Sequence, residues 1–158
     1  MTQTTGGLRA VLAFAIAATV SACSGSTSPS STTSNTIVAP TTEVLTGSVG
    51  VPVDGVLQSA FNTFVVSLSG GTLTVTLTSA VETMPDTSLL PTVTMGVGVG
   101  TVTSGTCTLL SGAFTTAQAG TAPLLSGSGV AAGTYCVLVA DVSNQLGPVS
   151  YAVAVSHY

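Results

Sequence analysis

The chain has 158 residues, of which only 4% are charged: five acids against a single Lys or Arg, for a formal charge of −4. Nucleic-acid binding runs on Lys and Arg contacts to phosphate, and attraction to anionic headgroups needs the same cations, so both partner classes are excluded. Hydrophobic residues make up 45% of the chain, aromatics 4%, and there is no Trp; the length suffices for one packed core and one domain.

Leu8 to Ala22 is mainly apolar and carries one cation, Arg9, behind a short polar start. It falls short of the roughly 20 residues that a membrane-spanning helix needs. It has the plan of a secretory signal helix, with a charged start, a short apolar middle and small residues at the end. Residues 1–22 are therefore expected to be a leader. The last four positions of this region, Val20-Ser21-Ala22-Cys23, resemble the bacterial lipobox, in which cleavage precedes the cysteine and the thiol accepts a diacylglyceryl group. The resemblance implies a lipid on Cys23, a membrane partner reached through that lipid, and a place in the cell envelope (outer membrane, periplasm or cell surface). Two or more acyl chains hold a protein well where one holds it marginally. Ordinary cleavage after Ala22 is the alternative, since Val-Ser-Ala also meets a small-x-small rule. Without Arg9 the remaining chain has no basic side chain except His157.

Residues 23–42 read as a Ser/Thr/Pro tether. Up to Thr36 they offer no apolar side chain whose burial could offset the cost of ordering. From residue 43 the pattern changes to period two, and 43–158 is the expected folded domain. Glu43–Val49 reads as a first strand. Phe64, Val66 and Leu68 alternate with Thr63, Val65 and Ser67, and Gly70-Gly71 signals a tight turn. Thr72–Thr78 sets Leu73, Val75 and Leu77 on one face and threonine on the other, as a half-buried strand requires. In Val93–Gly100 the apolar face is Val93, Met95, Val97 and Val99, and the other is nearly bare: Gly96, Gly98 and Gly100. Cys107–Leu110 reads as a short strand, 111–121 as a loop and Leu124-Leu125 as a further short strand. Gly133–Val142 and Ser150–Ser156, separated by a polar loop, read as a closing hairpin.

Seven or eight short strands with Gly-rich turns and no helix after the leader point to an all-β fold, an antiparallel β-sandwich. A membrane β-barrel fits poorly, because the aromatics are too few for two interfacial girdles. With Cys23 assigned to the lipid, Cys107 and Cys136 remain as an even pair in an exported chain, which favours a disulfide. Free reactive thiols would need a neighbouring cation, and two cysteines with one distant histidine do not make a zinc spacing.

Glu43–Gly47, Phe64–Val75 and the run Gly133-Thr134-Tyr135-Cys136-Val137-Leu138-Val139, followed by Tyr151–Val155, together resemble bacterial pre-peptidase C-terminal domains. The resemblance covers roughly residues 41–157 and implies a jelly-roll-like sandwich with an accessory, non-catalytic role. The family's Asp-x-Asp-Leu stretch is reduced here to one acid, Asp86, in Met84–Leu90. That removes the paired acids a calcium role would use.

Candidate chemistry is sparse. A serine nucleophile would need His157 as its base, and that histidine lies where chains fray. The five acids could supply a glycosidase pair, but without Trp to stack sugars. No cofactor or metal site is expected. Asp141 with Asn144 could hold a cation, although Asx residues in turns usually cap their own backbone. The glycine row Gly96, Gly98, Gly100 either receives a crossing segment of the same domain or forms a binding face for a partner sheet or a polysaccharide. The expectation is a non-catalytic envelope lipoprotein whose sandwich serves as an interaction module for an envelope protein or polysaccharide. The alternatives are a structural subunit assembling through strand edges, since Lys is absent as an edge protector, and, behind it, a hydrolase.

Overall fold

The computed structural model describes residues 38–86, 88–90 and 92–158. The expected leader, Cys23 and the expected tether up to residue 37 lie outside these residues. Among the described residues there is no helix, and more and less buried side chains alternate along 59–66, 71–77 and 149–157. The strands are β1 (Thr41–Val49), β2 (Ser59–Val66), β3 (Gly71–Thr83), β4 (Leu89–Leu90), β5 (Met95–Thr103), β6 (Thr106–Ala117), β7 (Leu125–Val130), β8 (Gly133–Ala140) and β9 (Val149–His157). The first therefore opens two residues ahead of the expected boundary at 43.

One sheet runs β1-β9-β3, with β4 and β7 both pairing β3; the other runs β2-β8-β5-β6. Every ladder is antiparallel. Apart from the two-residue β4, the orders β1-β9-β3-β7 and β2-β8-β5-β6 are those of an eight-stranded jelly roll. The expected fold class is therefore the observed one.

Two expected hairpins are not hairpins. β8 pairs with β2 and β5 whereas β9 pairs with β1 and β3, so the polar segment after Ala140 crosses from one sheet to the other. Gly70-Gly71 also lies on a crossover, from β2 to β3. There Gly70 takes φ +89°, and the Tyr158 carbonyl accepts from Ser67 N and Leu68 N. Alternation says which face of a strand is buried, and it is silent about which sheet the strand joins. The tight hairpin of the fold is β5–β6, turned by Ser104 and Gly105 with φ of 51° and 78°; positive φ at both central residues matches the twist of the flanking strands. β6 also runs on to Ala117 through most of the segment read as a loop, and Leu125 begins a strand that extends to Val130.

The core lies between the sheets. Leu73, Val75 and Leu77 of β3 meet Met95, Val97 and Val99 of β5, Val137 and Val139 of β8, and Val153 and Val155 of β9. Each fully buried Val or Leu contributes roughly 1.5–3 kcal/mol. The β3–β9 register shifts between Leu77 and Ser79. The inner face therefore passes from odd to even positions, and Ala80 and Glu82 are buried.

Candidate functional site

The expected disulfide is present. Cys107 on β6 and Cys136 on β8 are joined, with Cα atoms 5.9 Å apart. The strand between them is β5: Cys136 faces Gly100 and Cys107 faces Val102. A bond across an intervening strand requires β6 to lean over the outer face of β5, and the glycine row makes that approach possible. A Cβ on Gly100 would fall on the Thr108 carbonyl, 2.7 Å from its carbon and nearer still to its oxygen. A Cβ on Gly98 would lie 2.6 Å from Leu109 Cδ2, and one on Gly96 2.6 Å from Phe114 Cζ. Gly96, Gly98 and Gly100 are thus buried beneath their own neighbouring strand. The row marks close approach within the domain, and the outward surface here belongs to Leu109 and Phe114.

β6 pays out extra chain as it leans. Gly98 pairs with Phe114 but Gly100 pairs with Leu109, so residues 110–113 leave the ladder opposite Val99. This excursion lines an open, mainly apolar cleft of about 420 Å³ together with Leu73, Val75, Val99, Leu125, Val130 and Tyr135. The other side of the sandwich is tied shut: Asn62 Nδ2 donates to the Thr46 carbonyl at 3.2 Å, and Tyr151 Oη donates to Asn62 Oδ1 at 2.7 Å.

A second surface lies at one end of the sandwich. The β1–β2 loop, the segment from β3 to β5 and the β8–β9 crossover all close the end where Val49 faces Val149 and Ser59 faces Ala140. The first exposes Val51, Val53, Val56 and Leu57; the second exposes Leu89 and Leu90; the third exposes Leu146. Leu89 and Leu146 are each 66% exposed, so these side chains cap nothing of their own fold. Val53 and Val56 bridge each other around Asp54-Gly55, both with positive φ, which places the two valines at the neck of a tight turn. These residues were missed in sequence. The available signal was large aliphatics packed among turn residues (Pro52, Asp54-Gly55, Pro91) where loops are usually polar.

The polar groups are structural in their contacts. His157 Nε2 lies 3.0 Å from Glu43 Oε1 and its ring packs 5.5 Å from that of Phe64, fixing the end of β9 to the start of β1. The hydroxyl and N–H of Ser88 donate to Asp86 Oδ1 at 2.6 and 3.0 Å and hold that carboxyl below its ordinary range. Burial pushes the Tyr151 phenol up. Glu82 accepts from Leu146 N and, at 2.8 Å, from Gly147 N, pinning the β8–β9 crossover to β3. Asp141 Oδ1 accepts from Ser143 N at 2.8 Å and Asn144 N at 3.3 Å, the self-capping contact expected of an Asx residue in a turn. Asn144 Nδ2 donates to the Thr94 carbonyl at 3.1 Å. Among the described residues no three His, Cys, Asp or Glu side chains gather into a ligand set.

No family model, curated protein or solved structure matches this chain.

Proposed function

We propose that this chain is a non-catalytic lipoprotein of the bacterial cell envelope, tethered through a lipid on Cys23, whose jelly-roll domain docks a partner protein through its apolar loop end. The observation that carries the reading is the set of exposed aliphatic side chains on three loops at one end of the sandwich. Monomeric proteins rarely leave a large contiguous apolar patch in water, and those that do usually use it. The chain enters the sandwich at Thr41, opposite His157, at the end remote from these loops. The loops are aliphatic where sugar sites are lined with aromatics, which favours protein over polysaccharide. Their exposed charges, Asp54 and Asp86, are acidic, which disfavours anionic headgroups. The accessory role is the one implied by the sequence's resemblance to pre-peptidase C-terminal domains; the jelly-roll order by itself fixes no function.

The test replaces Val53, Val56 and Leu146 with serine in the full chain. Being exposed, these changes leave the thermal transition nearly unmoved. The variant loses its stable partner on co-purification from the native envelope, while a matched triple serine variant at Val44, Val65 and Leu68 keeps it. Equal retention by both variants overturns the docking role of the loops.

A second reading, a structural subunit assembling through strand edges, is favoured by β6. This edge strand has 12 residues, no charged side chain, and Leu109, Leu110 and Phe114 exposed. Such edges template pairing with other chains. Sedimentation of the purified protein separates the two: concentration-dependent growth of long species supports assembly, and a persistent monomer removes it.

A further inference from the structure

The β8–β9 crossover holds two buried polar atoms without partners. Asp141 is 3% exposed and Gln145 8%. Asp141 spends Oδ1 on its own backbone, but its Oδ2 and Gln145 Oε1 are buried with no hydrogen-bond partner. Buried polar atoms are nearly always satisfied, so two on one short loop need an explanation. They also share a neighbourhood. Gly96 pairs with Ala140, so the next positions, Met95 and Asp141, stand opposite each other where β5 and β8 end. Gln145 Nε2 lies 3.2 Å from Met95 Sδ, which brings its amide beside that same pair. Glu82, 1% exposed, reaches the crossover from the other sheet and accepts from Leu146 N and Gly147 N.

Charge sharpens the argument. Two buried carboxylates face one loop, and the one basic side chain among the described residues, His157, sits at the far end of β9 against Glu43. A buried carboxylate without a counter-charge is costly. A bound cation would supply that charge and the missing partner for both oxygens at once.

We propose that the β8–β9 crossover binds a hard cation, Ca²⁺, through Asp141 Oδ2 and Gln145 Oε1, with Glu82 supplying the second negative charge. The donors are all oxygen, which selects against thiolate-loving and imidazole-loving metals. Ca²⁺ takes six to eight oxygens in flexible geometry, so loop carbonyls and water complete its shell, whereas Mg²⁺ demands a near-ideal octahedron. The competing arrangement is a turned Gln145 amide donating to Asp141. It would set the amide oxygen against the Met95 sulfur and lose the N–H contact now made there.

The test is calorimetric titration of chelator-treated protein with CaCl₂ and, in parallel, MgCl₂, paired with thermal unfolding across the calcium series. One saturable calcium site is expected, with a Kd on the order of 10⁻⁴–10⁻³ M as in extracellular modules, and a Tm that climbs with calcium. Asp141→Asn weakens calcium roughly tenfold or more by removing ligand charge, and Gln145→Glu tightens it by adding charge. Should Asp141→Asn fail to fold, Gln145→Leu carries the same expectation of weakened binding. Absence of both heat and Tm shift well above that concentration range overturns the proposal. So does a Gln145→Leu protein that binds calcium as tightly as the parent; either result leaves the turned amide as the competing partner for Asp141 Oδ2 alone.

Discussion

Adding a single methyl to the glycine row tests how β6 lies on β5. At Gly100 the new Cβ would overlap the Thr108 carbonyl, a backbone group one residue from Cys107, which the disulfide holds to Cys136. The obstruction cannot swing aside without moving the strand or straining the staple. Overpacking typically costs about 1–3 kcal/mol, and Gly100→Ala belongs at or beyond the top of that range. At Gly98 the nearest atom is the end of Leu109, but the Ala113 carbonyl also stands 3.2 Å away, so Gly98→Ala falls in the middle. At Gly96 the obstruction is the tip of Phe114, whose exposed ring can rotate into water, and Gly96→Ala costs about 1 kcal/mol or less. At roughly 3–5 °C per kcal/mol for a domain of this size, thermal unfolding should rank the losses Gly100, then Gly98, then Gly96, with about 10 °C for the first. A flat series, with all three alanines near the parent, would refute the covered row and restore it as an open face.

Replacing Cys107 and Cys136 together with serine opens a loop with a sequence separation of 29; the chain-entropy model gives a loss of about 3–4 kcal/mol, read by urea denaturation under oxidising conditions. Tyr151→Phe changes the alkaline limb of the stability profile. The folded phenol titrates above its ordinary value because burial disfavours the phenolate. The unfolded chain therefore releases its proton first, and stability falls as pH rises past about 10; Phe removes that slope while costing about 1 kcal/mol at neutral pH for the lost bond to Asn62. An alkaline slope that survives in the Phe variant contradicts this assignment. Glu82→Ala frees the amides of Leu146 and Gly147, and their hydrogen exchange accelerates relative to amides of the β3–β9 ladder; unchanged exchange would show that Glu82 does not hold the crossover.

The sandwich was legible because most strands bury one face. Thr72–Thr78 announces its geometry in two letters, and Leu73, Val75 and Leu77 sit where that pattern puts them. The pairing of Cys107 with Cys136 follows once Cys23 is set aside for a lipid and the chain is read as exported, which leaves an even pair. The partners of each strand were not legible. Two crossovers looked like hairpin loops, since Gly70-Gly71 and the 143–148 segment carry the same turn residues whether the chain returns to the same sheet or leaves for the other. β6 was cut short because its excursion at 110–113, with Gly112 at φ +72°, breaks the alternation that marks a strand. The glycine row was recognised as a place of close approach, but what approaches it depends on how β6 leans, which no local pattern encodes. Glu82 was hidden by the shift of register after Leu77, which turns an even position inward. The apolar loop end escaped notice because its residues are scattered over three segments that only the fold brings to one end.

The docking claim is tested most directly by placing a photoreactive residue, one position at a time, at Val56, Leu89 and Leu146, and at Thr74, Val65 and Val44 on the sheets, in the protein made by its native cell. Irradiation should give one discrete heavier band, the same for all three loop positions and absent from the sheet positions. Adducts spread evenly over both sets, or confined to the sheet positions, would contradict an interaction module that works through its apolar loops.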